Sequence, residues 1–150
     1  MYYLALAFHV LAAAVWVGGM FFAYALLRPS LNDVSTPERL TIWATVLGKF
    51  FPWVFLCIAV LFVSGFVMIT RFGGFDAFGK YVPTMLAIAI VMTVIFKFIV
   101  VAPFRHLKRG VAEQKWEVAA YALGTIRKLV AVNLTLGILT IIIATALKAW

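Results

Sequence analysis

Four long apolar stretches decide what this chain can fold into: Tyr2–Leu27, Phe50–Thr70, Tyr81–Phe104 and Leu129–Leu147. Each is long enough to cross a hydrocarbon core of about 30 Å, which takes roughly 20 residues of helix. Lys97 alone puts a formal charge deep inside one of them. With 66% hydrophobic and 12% charged residues in 150, a water-soluble fold could not hide its apolar surface, because small domains keep a large surface fraction. The sequence therefore predicts an all-α, four-helix transmembrane bundle, a single domain over 1–150 with the lipid bilayer as its solvent. The first stretch lacks a basic leader and is too long for a signal-peptide core, so it is read as a mature helix.

Charge sets the expected orientation. The connection between spans one and two carries Arg28, Arg39 and Lys49; that between spans three and four carries Arg105, Lys108, Arg109, Lys115, Arg127 and Lys128. The opposite side has Arg71, Lys80 and Lys148, so nine basic residues face three. The positive-inside rule then places both termini outside the cytoplasm, periplasmic in a bacterial-type inner membrane. The net charge of +8 is accounted for by these flanks and does not call for nucleic acid. The single cysteine, Cys57, permits no intramolecular disulfide.

The cytoplasmic connections read as helical extensions before helices two and four. Ser35-Thr36-Pro37-Glu38 has the chemistry of a helix start, and a helix from Glu38 to Lys49 is expected to kink or restart at Pro52. Val111–Lys128 reads as an amphipathic segment running into span four. Phe72 to Gly79 is turn-like, with Asp76 a candidate cap. Ala44-x-x-Leu47-Gly48 recurs as Ala120-x-x-Leu123-Gly124 at an offset of 76, which also pairs His9 with Met85 and Trp16 with Met92. This is the pattern of a parallel two-helix repeat, against which stands ordinary membrane composition.

Polar groups inside lipid are costly and mark candidate sites. His9 leads, with Trp16 and Met20 seven and eleven residues on, in one helical stripe beside Gly18 and Gly19. Three roles are open: a neutral imidazole bonded to a neighbouring helix's hydroxyl or carbonyl, a metal or heme ligand, or a proton relay. In an antiparallel bundle span three runs in the same direction as span one, so Lys80 and Met85 are the candidates level with His9. Lys80 is otherwise an interfacial anchor and Met85 a packing residue. Lys97 snorkels or faces inward, and His106 sits among basic residues at the inner interface. Arg28 and Arg127 suit a cationic rim for carboxylates such as porphyrin propionates. For copper(I), which prefers sulfur ligands, the chain offers Cys57 and five methionines but no Met-x-x-Met or Cys-x-x-Cys.

His9-x6-Trp16-Val17-Gly18-Gly19-Met20-Phe21-Phe22, followed by Leu27-Arg28-Pro29, resembles the opening helix of the CopD copper-resistance membrane family. Met85-x6-Met92 and Ile126-Arg127-Lys128-Leu129-Val130-x2-Asn133-x2-Leu136-Gly137 are similar to later stretches of that family. The opening helix also resembles the J-type protoporphyrinogen oxidases, which implies a b-type heme held by His9 and a lysine at the start of helix three, Lys80 being nearest. The leading expectation is a heme-binding redox protein acting on a porphyrin or quinone ligand, with His9 as axial ligand. A copper-uptake or copper-tolerance protein is the rival, a non-catalytic scaffold the third. The small-residue faces permit a homo-oligomer.

Overall fold

The computed structural model describes residues 2–78 and 80–146. Helix α1 (Tyr2–Phe21) passes through a π-helical turn, Phe22–Leu27, into the single turn α2 (Arg28–Ser30). There follow α3 (Thr36–Arg71), a 3₁₀ turn (Phe75–Phe78), α4 (Tyr81–Val101), α5 (Pro103–Ala112) and α6 (Trp116–Ala146). The described residues contain no strand. The fold is all-α, with four helical rods long and apolar enough to cross a membrane: Tyr2–Ser30, Thr36–Arg71, Tyr81–Ala112 and Trp116–Ala146. Only 17% of the most apolar window in each rod is buried inside the bundle. Phe8, Leu11, Val15, Trp53, Leu56, Val94 and Ile142 all point outward. An exterior of that kind is stable only in lipid, so the protein is integral to a membrane. The expected end of span four at Leu147, and Lys148, lie outside the described residues.

Several boundaries differ from expectation for local reasons. α3 runs unbroken through Pro52, so the extension and span two are one helix of 36 residues rather than two. Ser35 is the N-cap, but its hydroxyl donates to the Glu38 carboxylate at 2.6 Å and accepts no backbone N–H. α4 stops at Val101 rather than Phe104, because Pro103 disfavours helical geometry at Ala102 and then opens α5. Val111 and Ala112 belong to α5, and the break before α6 falls at Glu113–Lys115, where Gln114 takes a left-handed φ of 56°. Arg109 and Lys115 pair with the exposed Glu113 carboxylate at 2.7 and 2.6 Å and hold its pKa down at about 2. Gly73 and Gly74, both at positive φ, turn the chain between α3 and the 3₁₀ turn that contains Asp76. The Asp76 side chain lies outside what is described.

Within the bundle α1 packs chiefly on α3 and α4 on α6, while α1 and α3 also touch α6. The amphipathic α5 buries Pro103, Phe104, Leu107 and Gly110 against α6 and turns Arg105, His106, Lys108 and Arg109 outward. An aromatic layer holds the middle. Phe96 receives the edges of Trp16, Phe51 and Phe55 at centroid distances of 6.3, 5.3 and 5.0 Å, and Phe51 meets Phe104 at 4.7 Å. Such pairs contribute about 0.5–1.5 kcal/mol each beyond area burial, which matters where lipid removes the usual drive to bury apolar surface. Burial recurs at the offset of 76: Trp16 and Met92, Leu31 and Leu107, and Leu47 and Leu123 are core pairs. Each half is a span, a helical connection and a longer helix. The connections differ in length, one turn for α2 and 10 residues for α5.

Candidate functional site

His9 is placed by its helix stripe. Ala12, Trp16 and Met20 are the buried residues of α1, and His9 stands three residues before the first, half-buried at the end remote from the basic connections. Its Nδ1 lies 2.8 Å from Ser64 Oγ on α3. The Ser64 hydroxyl spends its proton on the Val60 carbonyl within its own helix, so it accepts from the ring and Nδ1 carries the hydrogen. Nε2 then keeps its lone pair, the form of histidine that binds a metal. Gly65 lies under the ring, with Cε1 only 3.5 Å from where a Cβ would stand. Of the roles open for His9, the hydroxyl bond is therefore present, and it leaves the second nitrogen unused by Ser64.

The structure does not gather the ligands expected from span three. Lys80 is exposed at the N-cap of α4 and Met85 is half-buried on that helix, whereas α1 lies mainly on α3. The antiparallel neighbour, not the co-directional helix, holds the imidazole. Trp16 is in the aromatic layer, packed edge-on to Phe96. Gly19 faces the Phe50 ring of α3, which occupies the space a Cβ would need, while Gly18 has open space beside it. Lys97 is exposed and so turns away from the bundle interior, and His106 is exposed on α5.

Sulfur is well represented in the core. Met20 on α1, Cys57 on α3 and Met92 on α4 are all buried. Cys57 lies seven residues before Ser64, two turns along the same face and about 10 Å deeper. Met68 lies one turn beyond Ser64 on that face and is half-buried. Met92 carries its methyl to the α6 surface at Gly137, where Val17 of α1 also arrives. Imidazole, thiol and thioether thus mark successive depths of one interior. Among the described residues no three His, Cys, Asp or Glu side chains form a closed metal cage.

A separate cleft opens toward the basic end. Trp16, Met20, Tyr24, Arg28, Trp43 and Arg127 are among its lining, with Asn133 at its deep end, and it encloses about 40 Å³. Asn133 Nδ2 donates to the Met92 carbonyl at 3.1 Å, and its Oδ1 is buried without a partner. The candidate heme ligands do not meet in this cleft. His9 is not in the lining of this cleft, Lys80 and Met85 are not either, and the space is far below the several hundred Å³ of an ordinary cofactor pocket. Arg28 and Arg127 do come together, at the cleft's basic mouth. Sequence reasoning missed Ser64, Trp43 and Asn133. Ser64-Gly65, a hydroxyl beside a glycine within an apolar run, was the available signal for the first.

The family model for copper resistance protein D matches residues 44–147. No curated protein and no solved structure matches the chain. The matched region takes in α3 from Ala44 onward, α4, α5 and α6, and with it Cys57, Ser64, Met92 and Asn133. A four-span membrane bundle with that match over most of its length belongs to the copper resistance protein D (CopD) family.

Proposed function

We propose that this protein handles copper(I) inside the membrane, as a component of copper uptake or copper tolerance, with the ion as cargo. The observation that carries this reading is the set of soft groups on three helices: Cys57, Met92 and Met20 buried, Met68 and His9 half-buried, with His9 Nε2 unused by Ser64. Thiol and thioether groups select copper(I) over the hard cations, and an imidazole held in one tautomer completes such a set. Soft groups spread over three helices suit passage, because an ion that moves must also be able to leave. The membrane is the bacterial-type inner membrane, with both termini periplasmic. Nine basic residues against three support that orientation, and it puts Met68 and His9 at the periplasmic end.

Copper content tests the reading. Expression in a copper-sensitive bacterial host should change whole-cell copper, and the double variant Cys57→Ser, Met92→Leu should return it to the level of cells lacking the protein. Unchanged copper content, with purified protein showing a Soret band, would overturn it in favour of a heme redox protein.

A further inference from the structure

At the basic mouth of the cleft three guanidinium groups share one small region without an acid between them. Arg28 and Arg127 line the same mouth, and Arg39 lies one helical turn before Trp43, over whose ring Arg127 sits. Among the described residues the two ion pairs both belong to Glu113, and neither involves Arg28, Arg39 or Arg127. Like charges held together in a half-buried place cost free energy unless something of opposite sign sits among them.

The hydrogen-bond inventory of the same region points the same way. Trp43 is 4% exposed and its indole Nε1–H has no partner. Arg127 Nε and Arg39 Nε are buried and unpartnered as well. Leaving a buried donor unsatisfied is costly, and here three such donors lie within one residue cluster, with the unpartnered Asn133 Oδ1 at the deep end of the cleft. Arg127 lies over the Trp43 ring at 5.9 Å, so the indole also fixes where that guanidinium sits. The wall just inside is apolar: Ala23, Leu47, Phe50 and Leu123.

The first helix is remodelled at this spot. Pro29 has no N–H to give the carbonyl four residues back, and its ring crowds that position. The turn before it widens, and the Arg28 N–H bonds to the Ala23 carbonyl five residues away. That π-turn presents Tyr24 and Arg28 to the cleft, with Arg28 5.4 Å from the Tyr24 ring. Widened turns of this kind are frequent at functional positions.

We propose that this mouth binds the phosphate head of an anionic membrane phospholipid. Arg127, Arg39 and the Trp43 indole donate to its oxygens, Arg28 closes the rim, and the first acyl carbons lie against the apolar wall. The components match what a phosphodiester needs: planar cationic forks, a neutral donor, and a hydrocarbon surface directly beneath. A tethered lipid also explains why the cluster lies at the end of the cleft that meets the basic connections. Of the proposed copper ligands only Met20 lines this cleft, and His9 lies toward the other end of α1.

The experiment uses full-length protein, delipidated in detergent and titrated with phosphatidylglycerol, with phosphatidylcholine and with inorganic phosphate, and bound lipid is counted by native mass spectrometry. Wild type should retain one phosphatidylglycerol at least about ten-fold more tightly than phosphatidylcholine, with inorganic phosphate not competing. Arg127→Gln should remove that preference, and Trp43→Phe, which keeps the ring but deletes the donor, should weaken retention about five-fold. Lys108→Gln, an equal change of charge on α5, should leave it unaltered. Equal loss in Arg127→Gln and Lys108→Gln would reduce the effect to general surface charge and overturn the site. Displacement by inorganic phosphate alone would overturn the lipid assignment. Trp43→Phe with wild-type retention would also overturn it, and that variant is conservative enough to fold.

Discussion

Replacing Gly110 by valine should unfasten α5 from α6 and lower the thermal midpoint of the detergent-solubilised protein by about 5–10 °C. A Cβ at Gly110 would stand 2.9 Å from the Ala119 Cβ, 3.0 Å from its backbone nitrogen and 3.1 Å from its Cα. Two of those three atoms are main chain, so no rotamer change relieves the contact and the helices must part. Overpacking of this kind costs about 1–3 kcal/mol, at roughly 2–4 °C per kcal/mol for a chain of this size. The loss spreads, because α5 carries Phe104 and Leu107 beneath Phe51 and into the core. Gly124→Ala is the control: nothing lies within 4 Å of its added methyl, and its midpoint should not fall below wild type. A Gly110→Val protein melting with wild type would mean that α5 and α6 are not in backbone contact.

His9→Asn should leave the protein folded and abolish copper(I) retention. The His9–Ser64 bond joins two helices, and interhelical bonds of this kind in membranes contribute about 0.6 kcal/mol on average. Ser64 loses little when the ring goes, since its proton is already committed to Val60. Asparagine can still donate to Ser64 Oγ but offers no imidazole lone pair. The midpoint should fall by no more than about 2 °C, while retained copper falls at least ten-fold. Ser64→Ala frees the ring instead of removing it, so copper affinity should drop less. Equal copper retention in wild type and His9→Asn would remove His9 from the path, and a collapse of stability would make it a structural group.

The architecture was legible because hydropathy alone identifies membrane spans and backbone pairing in lipid allows few alternatives. The four spans occur where the apolar runs place them. The boundaries differ at prolines: α3 continues through Pro52 without restarting, whereas Pro103 ends α4 three residues before the expected limit. The stripe His9, Trp16 and Met20 was readable from spacing, and Met20 and Trp16 are buried on it. Its partner was not. Direction of travel made span three the natural place to look, but helices joined by a short connection are neighbours first, and Ser64 is on span two. The arginine cluster was half visible, since Arg28 and Arg127 were paired by chemistry. Arg39 and Trp43, four residues apart on one face of α3, complete it only when α3 and α6 are brought together.

X-ray absorption at the copper edge, on purified protein loaded with one equivalent of copper(I), tests the copper assignment most directly. The expected first shell is sulfur with one imidazole, the imidazole scattering disappearing in His9→Asn and the sulfur shell thinning in Cys57→Ser. A shell of light atoms identical in wild type and both variants, or copper stripped by a mild chelator, would contradict it.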